Sequence, residues 1–134
     1  EMKDEGYINH IGLSEVTVEE LEEAREIIDV ATVQNRYNVG DREHDDVVEY
    51  CEENGIAFLP WFPLASGNLA AKEDALQEVA EAQDATVYQV ALAWLLERSP
   101  VVLPIPGTGS VEHLEENVGA AELELTDEDM EKLD

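Results

Sequence analysis

Short apolar runs alternate with segments of helical periodicity along the sequence, and this alternation constrains the fold more than any other feature. The four runs are Tyr7 to Leu13, Ala31 to Asn35, Ile56 to Pro60 and Val101 to Leu103. Apolar strands that are each followed by a helix are typical of a parallel sheet with both faces covered. The sequence therefore predicts the α/β class, with four parallel β/α units in a single domain over residues 1–134. The pattern alone leaves open whether these units form a flavodoxin-like sheet or part of a barrel.

The helices are predicted from capping residues and from apolar positions three or four residues apart. Thr17 and Glu20 predict a capping box at the start of the first helix. The apolar face of that helix is predicted to contain Leu21, Ala24, Ile27 and Ile28. Further helices are predicted over residues 42–54, ending at Gly55, and over 71–83, 87–99, 111–121 and 127–133.

The reactive side chains outside the strand ends are predicted to be structural. Cys51 is the single cysteine, so no intrachain disulfide forms, and its place on an apolar helical face predicts a core position. His10, inside the first predicted strand, is expected to be a packed core histidine. His44, Asp45 and Asp46 carry metal-binding atoms, but adjacent residues on a helix point apart, so no metal site is predicted.

Acidic residues outnumber basic ones by 33 to 7, which gives a formal net charge of -26. This charge repels the phosphates of nucleic acids and anionic membrane surfaces, so neither is a predicted partner. The acids lie on outer helical faces and do not form an acidic tail. Their excess over basic residues favours a protein of a salt-loaded cytoplasm, as in haloarchaea. At about 1 M salt the Debye length is roughly 3 Å, and self-repulsion is largely screened. An acidic protein of an ordinary cytoplasm is the alternative.

The sequence shows no targeting segment. No run approaches the roughly 18 apolar residues of a membrane span, and no signal peptide is present, so a cytoplasmic location is predicted. The opening, Glu1 to Gly6, resembles the end of a helix, as though cut from the middle of a longer chain.

The stretch from Leu103 to Asn117 contains a Pro/Gly turn that leads from a strand into a helix beginning at Ser110. The free N–H groups and the positive dipole end of a helix start suit a phosphate. Strand–turn–helix units with glycine are common, so a purely structural turn is at least as good an interpretation on local grounds.

An ordered set of motifs resembles the carboxyl-terminal half of the aldo-keto reductase family. The motifs are Ile11 to Glu15, Val33 to Tyr37, Phe58 to Gly67, Leu103 to Asn117 and the tail Leu125 to Leu133. The resemblance implies strands five to eight of a (β/α)8 barrel, that is, half of a TIM-type barrel, from a family that reduces carbonyls with a nicotinamide cofactor. Such barrels have about 250 residues or more. The family's catalytic Asp, Tyr, Lys and His belong to the first half, which has no counterpart in these 134 residues.

The resemblance also implies a cofactor-binding set at the carboxyl ends of the strands. Ser14 and Gln34 would bind the nicotinamide carboxamide, and Trp61 would stack on the nicotinamide ring. The pyrophosphate side would be held by Phe62, Leu64 and Ser66. The turn at the ribose 2′-phosphate would consist of Gly107, Thr108, Gly109 and Ser110, with His113 beside it. Glu116 and Asn117 would contact the adenine.

Four of these strand-end and turn positions depart from the family pattern. Glu15 stands where the family usually has Asn, and an ionised carboxylate accepts hydrogen bonds but donates none. Phe62 replaces a commoner Ser. The Lys and Arg that family members often place at Gly107 and His113 are absent. The resemblance implies NADP as the cofactor, but the absence of this Lys and Arg weakens the preference for NADP, and NAD remains possible.

Two hypotheses of different classes follow. The first is the carboxyl half of an NAD(P)H-dependent reductase, which carries cofactor contacts but lacks the catalytic half. The second is a non-catalytic, self-associating half-barrel, or a truncated fragment, without cofactor binding. Four strands cannot close a barrel of eight, so two sheet edges are expected to stay open. Besides the nicotinamide cofactor, the expected partner is a second copy or the missing amino-terminal half.

Overall fold

A computed structural model describes residues 1–64, 69 and 72–134. Strands and helices alternate from β1 to α3 and further helices follow, which confirms the predicted α/β class. In chain order they are β1 (Ile11–Ser14), α1 (Val18–Arg25), β2 (Val30–Gln34), α2 (Asp45–Asn54), β3 (Ala57–Phe58), α3 (Glu73–Gln83), α4 (Val87–Arg98), α5 (Val111–Gly119) and α6 (Asp127–Leu133). A short 3-10 helix, Ala120–Glu122, follows α5.

The sheet contains β1, β2 and β3 in that order, all parallel. The fourth predicted strand, Val101 to Leu103, contributes a single parallel bridge in which Val102 pairs with Phe58. Backbone hydrogen bonds of 2.8 and 2.9 Å flank this bridge. The prediction of four full strands is therefore wrong, because the sheet has three strands and the fourth segment adds only this bridge. The bridge does not extend into a longer strand pair, because the next hydrogen bond would need the N–H of residue 60, and Pro60 has none.

Strand β1 begins at Ile11, later than predicted. Ile11 pairs with Val30, the first residue of β2, so the residues before it have no neighbouring strand in register. They turn instead, with Gly6 at φ +80° and Tyr7 77% exposed. His10 is exposed in this turn region, so the expectation of a core histidine is wrong.

Helix boundaries largely follow the sequence signals. The predicted capping box is present: the Thr17 hydroxyl accepts from the Glu20 N–H at 3.2 Å, and the Glu20 carboxylate accepts from the Thr17 N–H at 3.0 Å. Helix α2 ends at Gly55, whose φ of +64° lies in the left-handed region that glycine adopts without strain. Helix α1, however, ends at Arg25, so Ile27 is 84% exposed and its predicted place on the apolar face is wrong.

The core lies between the sheet and the helices. Cys51 is buried, as predicted, and α4 buries every residue from Val90 to Leu95. The Tyr37 ring stacks on the Trp94 ring with 5.8 Å between centroids and meets the Phe58 ring edge to face at 5.7 Å. These aromatic contacts fix α4 against the ends of β2 and β3.

Helix α5 carries an apolar face that the described residues leave exposed. Leu114 and Val118 share this face and are 50% and 65% exposed, while Val111 is 72% exposed. The other side of α5 contacts α4 and the 3-10 helix.

Within residues 1–64, 69 and 72–134, no helix has the length and apolar character to cross a bilayer. The same residues contain no group of three or more His, Cys, Asp or Glu side chains placed to hold a metal ion.

Candidate functional site

The carboxyl ends of β1 and β2 bring Ser14 and Gln34 side by side. The two residues are partners in the parallel register. The Ser14 hydroxyl donates to the Gln34 carbonyl oxygen at 3.1 Å, and the Glu15 N–H donates to the same oxygen at 3.0 Å. The two residues predicted to bind a carboxamide are therefore adjacent.

Glu15 connects all three strand ends. Its carboxylate accepts from the Arg36 backbone N–H at 2.7 Å and from the indole Nε1–H of Trp61. Its backbone is left-handed, at φ +55°, a conformation that costs a non-glycine residue about 1–2 kcal/mol. Contacts to residues 21 and 46 positions away thus hold it in a strained geometry. Sequence reasoning missed this role because nothing local to Glu15 signals either partner.

The third strand end carries Trp61 and Phe62. Trp61 is half-buried and pairs with Arg36 in a parallel bridge. Phe62 is also left-handed, at φ +61°, and its ring centroid lies 5.9 Å from that of the indole. The Arg36 guanidinium lies 5.1 Å from the Phe62 ring centroid, and its Nε pairs with Asp41 at 3.0 Å. The site therefore includes a cation that the sequence analysis did not assign to it.

Two adjoining cavities extend from Phe62 toward α5 and together form one groove. The first, of about 420 Å³, is lined by residues that include Phe62, Leu64, Tyr88 and Gly107. The second, of about 440 Å³, shares Leu64, Tyr88 and Gly107 and continues along Thr86, His113, Glu116 and Asn117. The groove thus brings together the predicted cofactor residues Phe62, Leu64, Gly107, His113, Glu116 and Asn117.

The Gly-rich turn lies at the α5 end of the groove and uses its hydroxyl groups internally. Ser110 caps α5 by accepting from the His113 N–H at 3.1 Å. The Thr108 hydroxyl donates to the Ser110 carbonyl oxygen at 3.1 Å and accepts from the Ser110 N–H at 3.3 Å. A Cβ built on Gly107 or Gly109 would meet no atom within 4 Å, so the turn is open on its outer side.

The remaining predicted position, Ser66, lies outside the described residues.

Glu116 belongs to the groove wall and also links two helices. Its carboxylate accepts from the Thr86 hydroxyl at 2.5 Å, and its carbonyl oxygen accepts from the Gln89 side-chain amide at 3.0 Å. The described lining of the groove includes no Lys or Arg. Its apolar walls and its imidazole, amide and carboxylate groups fit a nucleoside, whereas a phosphate there would rely on N–H donors and His113.

Tyr37 does not serve as a proton donor at this site. Its ring is buried in the core and its hydroxyl donates to Asp45. Burial, and then the hydrogen bond to Asp45, raises the pKa of Tyr37 well above its usual range. The Tyr37 hydroxyl is therefore used in a hydrogen bond that stabilises the fold.

Comparison with known protein families decides the wider assignment. The model of the aldo/keto reductase family matches residues 1–134. The chain belongs to the aldo/keto reductase family. The family predicted from the strand-end motifs is thereby confirmed.

Individual aldo/keto reductases and related oxidoreductases match only in part of their length. An uncharacterized oxidoreductase of Schizosaccharomyces pombe is 53% identical over 133 residues, which are 99% of this chain and 44% of the relative. Pyridoxine 4-dehydrogenase of Escherichia coli is 46% identical over 134 residues, 100% of this chain and 46% of the enzyme. The chain thus spans about half the length of these relatives.

Solved aldo/keto reductase structures show the same coverage. A thermostable aldo-keto reductase in complex with epalrestat superposes with a TM-score of 0.92 and 38% identity, covering 99% of this chain and 50% of that one. An aldo/keto reductase from Klebsiella pneumoniae, in complex with NADP and acetate, gives a TM-score of 0.89 and 28% identity at 99% and 50% coverage. The parallel sheet and its helices are consistent with part of a TIM-type barrel of this family.

Proposed function

We propose that this chain is the carboxyl half of an NAD(P)H-dependent carbonyl reductase and supplies the binding surface for the nicotinamide cofactor. The continuity of the site carries the proposal: the strand-end cluster of Ser14, Gln34 and Trp61 leads through Phe62 into a groove that reaches Asn117. Ligands of parallel α/β folds bind at this end of the strands.

At the nicotinamide end, the side chains can recognise an amide and cover one face of a ring. The Gln34 amide both donates and accepts, and the Ser14 oxygen has lone pairs to offer. The Trp61 indole, fixed through its Nε1–H by Glu15, presents a flat surface on which a nicotinamide ring can stack. Bound there, the cofactor would supply the hydride for carbonyl reduction.

At the adenosine end, we propose NADP as the cofactor, with NAD as the alternative. His113, the Asn117 amide and the N–H groups of the turn would hold the adenosine and its phosphate. The relative from Klebsiella pneumoniae, whose structure contains NADP, supports this choice. The lack of Lys and Arg in the described lining favours the alternative, so NAD belongs in every binding test.

The catalytic groups are proposed to belong to an amino-terminal half of the complete protein. Val111, Leu114 and Val118 form an exposed apolar face on α5, and Leu103 is 58% exposed at the open sheet edge. Because the chain spans about half of its relatives, an amino-terminal half with further β/α units is the partner that we propose for these surfaces. A second copy of the chain is the alternative occupant.

We further propose a salt-loaded cytoplasm as the working environment. The net charge of -26 supports this, because self-repulsion of this size is strongly reduced by concentrated salt.

Cofactor binding is tested by calorimetry on the protein expressed from its complete reading frame. Gln34→Ala should weaken NADPH binding about tenfold, because losing one or two hydrogen bonds costs about 1–2 kcal/mol. Gln77→Ala is the matched control, since the Gln77 amide bonds to Glu81 on α3 at 3.0 Å. Equal losses in both variants would contradict the proposed nicotinamide site.

Catalysis is tested by NADPH oxidation with nitrobenzaldehyde. The isolated 134-residue chain should give no turnover above background, whereas the complete protein should. Turnover by the isolated chain that survives Gln34→Ala and Trp61→Ala would contradict the site. A stable dimer that binds neither NADPH nor NADH would favour the non-catalytic half-barrel.

A further inference from the structure

We propose that the Glu15 carboxylate makes this site favour the oxidised, positively charged nicotinamide over the reduced form. The inference rests on the proposed function, because it requires a nicotinamide ring against Trp61. It deepens that function by assigning a redox-state preference to one residue.

The position of the carboxylate is fixed by contacts from two other strand ends. Glu15 accepts from the Arg36 N–H at 2.7 Å and from the Trp61 Nε1–H. Glu15 and Phe62, which flank the indole contact, are both left-handed, at φ +55° and +61°. Such strained residues persist only where the surrounding structure holds them, and they concentrate at functional sites. The geometry therefore holds a carboxylate at the edge of the stacking surface.

The described contacts leave the negative charge of Glu15 without a cationic partner. Both of its donors are neutral N–H groups. Arg36, the nearby cation, directs its Nε to Asp41 at 3.0 Å and lies over the Phe62 ring. A ring stacked on the indole, with centroids typically about 4.5–7 Å apart, would meet the field of this carboxylate.

The two redox states of the cofactor differ in the charge of that ring. The oxidised ring carries one positive charge, and the reduced ring is neutral. When an alcohol is oxidised, a hydride with its electron pair passes from the alcohol carbon to the ring, and the hydroxyl proton is released. The carboxylate therefore attracts the oxidised ring by Coulomb interaction and does not attract the reduced ring.

The test compares NADP⁺ and NADPH affinities of the complete protein by calorimetry. Glu15→Gln keeps the size of the side chain and its acceptor oxygen but removes the charge. We expect it to weaken NADP⁺ binding about five- to tenfold and to change NADPH binding less than twofold. Glu23→Gln, which removes the same charge from exposed α1 surface, should leave both affinities unchanged.

Each other outcome decides against the proposal. Equal losses for both redox forms would mean that Glu15 only positions Trp61, and unchanged affinities for both forms would mean that its charge does not act on the ring. If the wild-type protein binds neither form, the proposed function fails, and this inference fails with it.

A second measurement varies the ionic strength. Salt from 0.1 to 1 M shortens the Debye length from about 10 to 3 Å. Both redox forms share the same phosphates, so the ratio of their affinities reports the nicotinamide charge. In the wild-type protein this ratio should shift against NADP⁺ as salt rises, and in Glu15→Gln it should shift less. A constant wild-type ratio, or equal shifts in the two proteins, would overturn the proposal.

Discussion

At the scale of single residues, Asp45 joins side chains from separate parts of the chain. Its carboxylate accepts from the Tyr37 hydroxyl and pairs with Arg42 at 2.9 Å and with Arg98 at 3.4 Å. Burial acts to raise the pKa of Asp45, but the hydrogen bonds from Tyr37 and Arg42 outweigh it, and the pKa lies below its ordinary value. Asp45 therefore stabilises the fold in its ionised form.

Asp45→Asn should lower the free energy of unfolding at pH 7 by about 1–2 kcal/mol. Hydrogen bonds to a charged group contribute about 1.5–3 kcal/mol, and solvent screens this side chain, which is 34% exposed. Because the folded-state pKa is lowered, the contribution is complete above the unfolded value of about 4 and is lost as pH falls through the folded value. Urea unfolding at pH 7 and in steps below pH 5 should show a steeper acid loss for the wild type than for the variant.

Asp46→Asn is the control for this substitution. It removes the same charge one residue later, where the carboxylate accepts from the Val47 N–H at 2.8 Å. Equal losses of stability and equal acid slopes in the two variants would show that charge number, and not the Asp45 cluster, is responsible.

Burial of single residues could be predicted where a helix repeats its apolar positions. Cys51 follows this rule, because it lies with Val47 and Val48 on the one buried face of α2. In α4 the rule is not needed to explain Trp94, since every residue from Val90 to Leu95 is buried. Ile27 did not follow it, since its burial depends on where α1 ends. The role of Glu15 could not be predicted, because its donors Arg36 and Trp61 are distant in sequence and come together only in the fold.

At the scale of elements, β1 approaches β2 so closely at Gly12 that a side chain does not fit. A Cβ there would lie 2.2 Å from Thr32 Oγ1 and 3.2 Å from the Thr32 carbonyl oxygen. The close approach lies two residues before Ser14, so it also sets the strand end that carries the candidate site.

Gly12→Ala should lower the free energy of unfolding by about 1–3 kcal/mol, as overpacked positions do. The stiff, β-branched Thr32 cannot move aside without straining its χ1 angle. Thermal unfolding measures the loss. Gly109→Ala, where a Cβ meets no atom within 4 Å, should change stability little, and a comparable loss there would rule out the steric explanation.

The starts of helices could be predicted from their caps, and the extent of the sheet could not. Thr17 and Ser110 act locally, within three residues, so their sequence signals are sufficient. Strand length depends on the donors of the neighbouring strand. The bridge at Val102 stays short because of Pro60, some forty positions earlier in the sequence.

At the scale of the whole molecule, the charge of -26 is spread over a fold with seven Lys and Arg side chains. Several of these cations are engaged in ion pairs: Arg36 with Asp41, Arg42 with Asp45 and Asp134, and Lys132 with Glu78 and Glu128. The remaining carboxylates repel one another across the surface, so folded-state stability should depend on ionic strength.

Raising KCl from 0.1 to 2 M should raise the midpoint of thermal unfolding by about 5 °C or more. Screening at the higher concentration removes most of the repulsion between surface carboxylates. A sucrose series serves as the control, because sucrose favours compact states without screening charge. Greater stability at low salt would contradict both the expectation and the proposed salt-loaded environment.

The hydrogen bond between Thr86 and Glu116 connects the wall of the groove to the amino-terminal cap of α4. The Thr86 hydroxyl donates to Glu116 and, at 3.2 Å, accepts the Gln89 N–H that caps α4. A hydroxyl that donates to a carboxylate is a better acceptor, since hydrogen bonds in a chain polarise one another. An occupant that draws Glu116 away would weaken the cap and let the first turn of α4 fray. Faster deuterium uptake at the Gln89 backbone amide would then report that the groove is occupied.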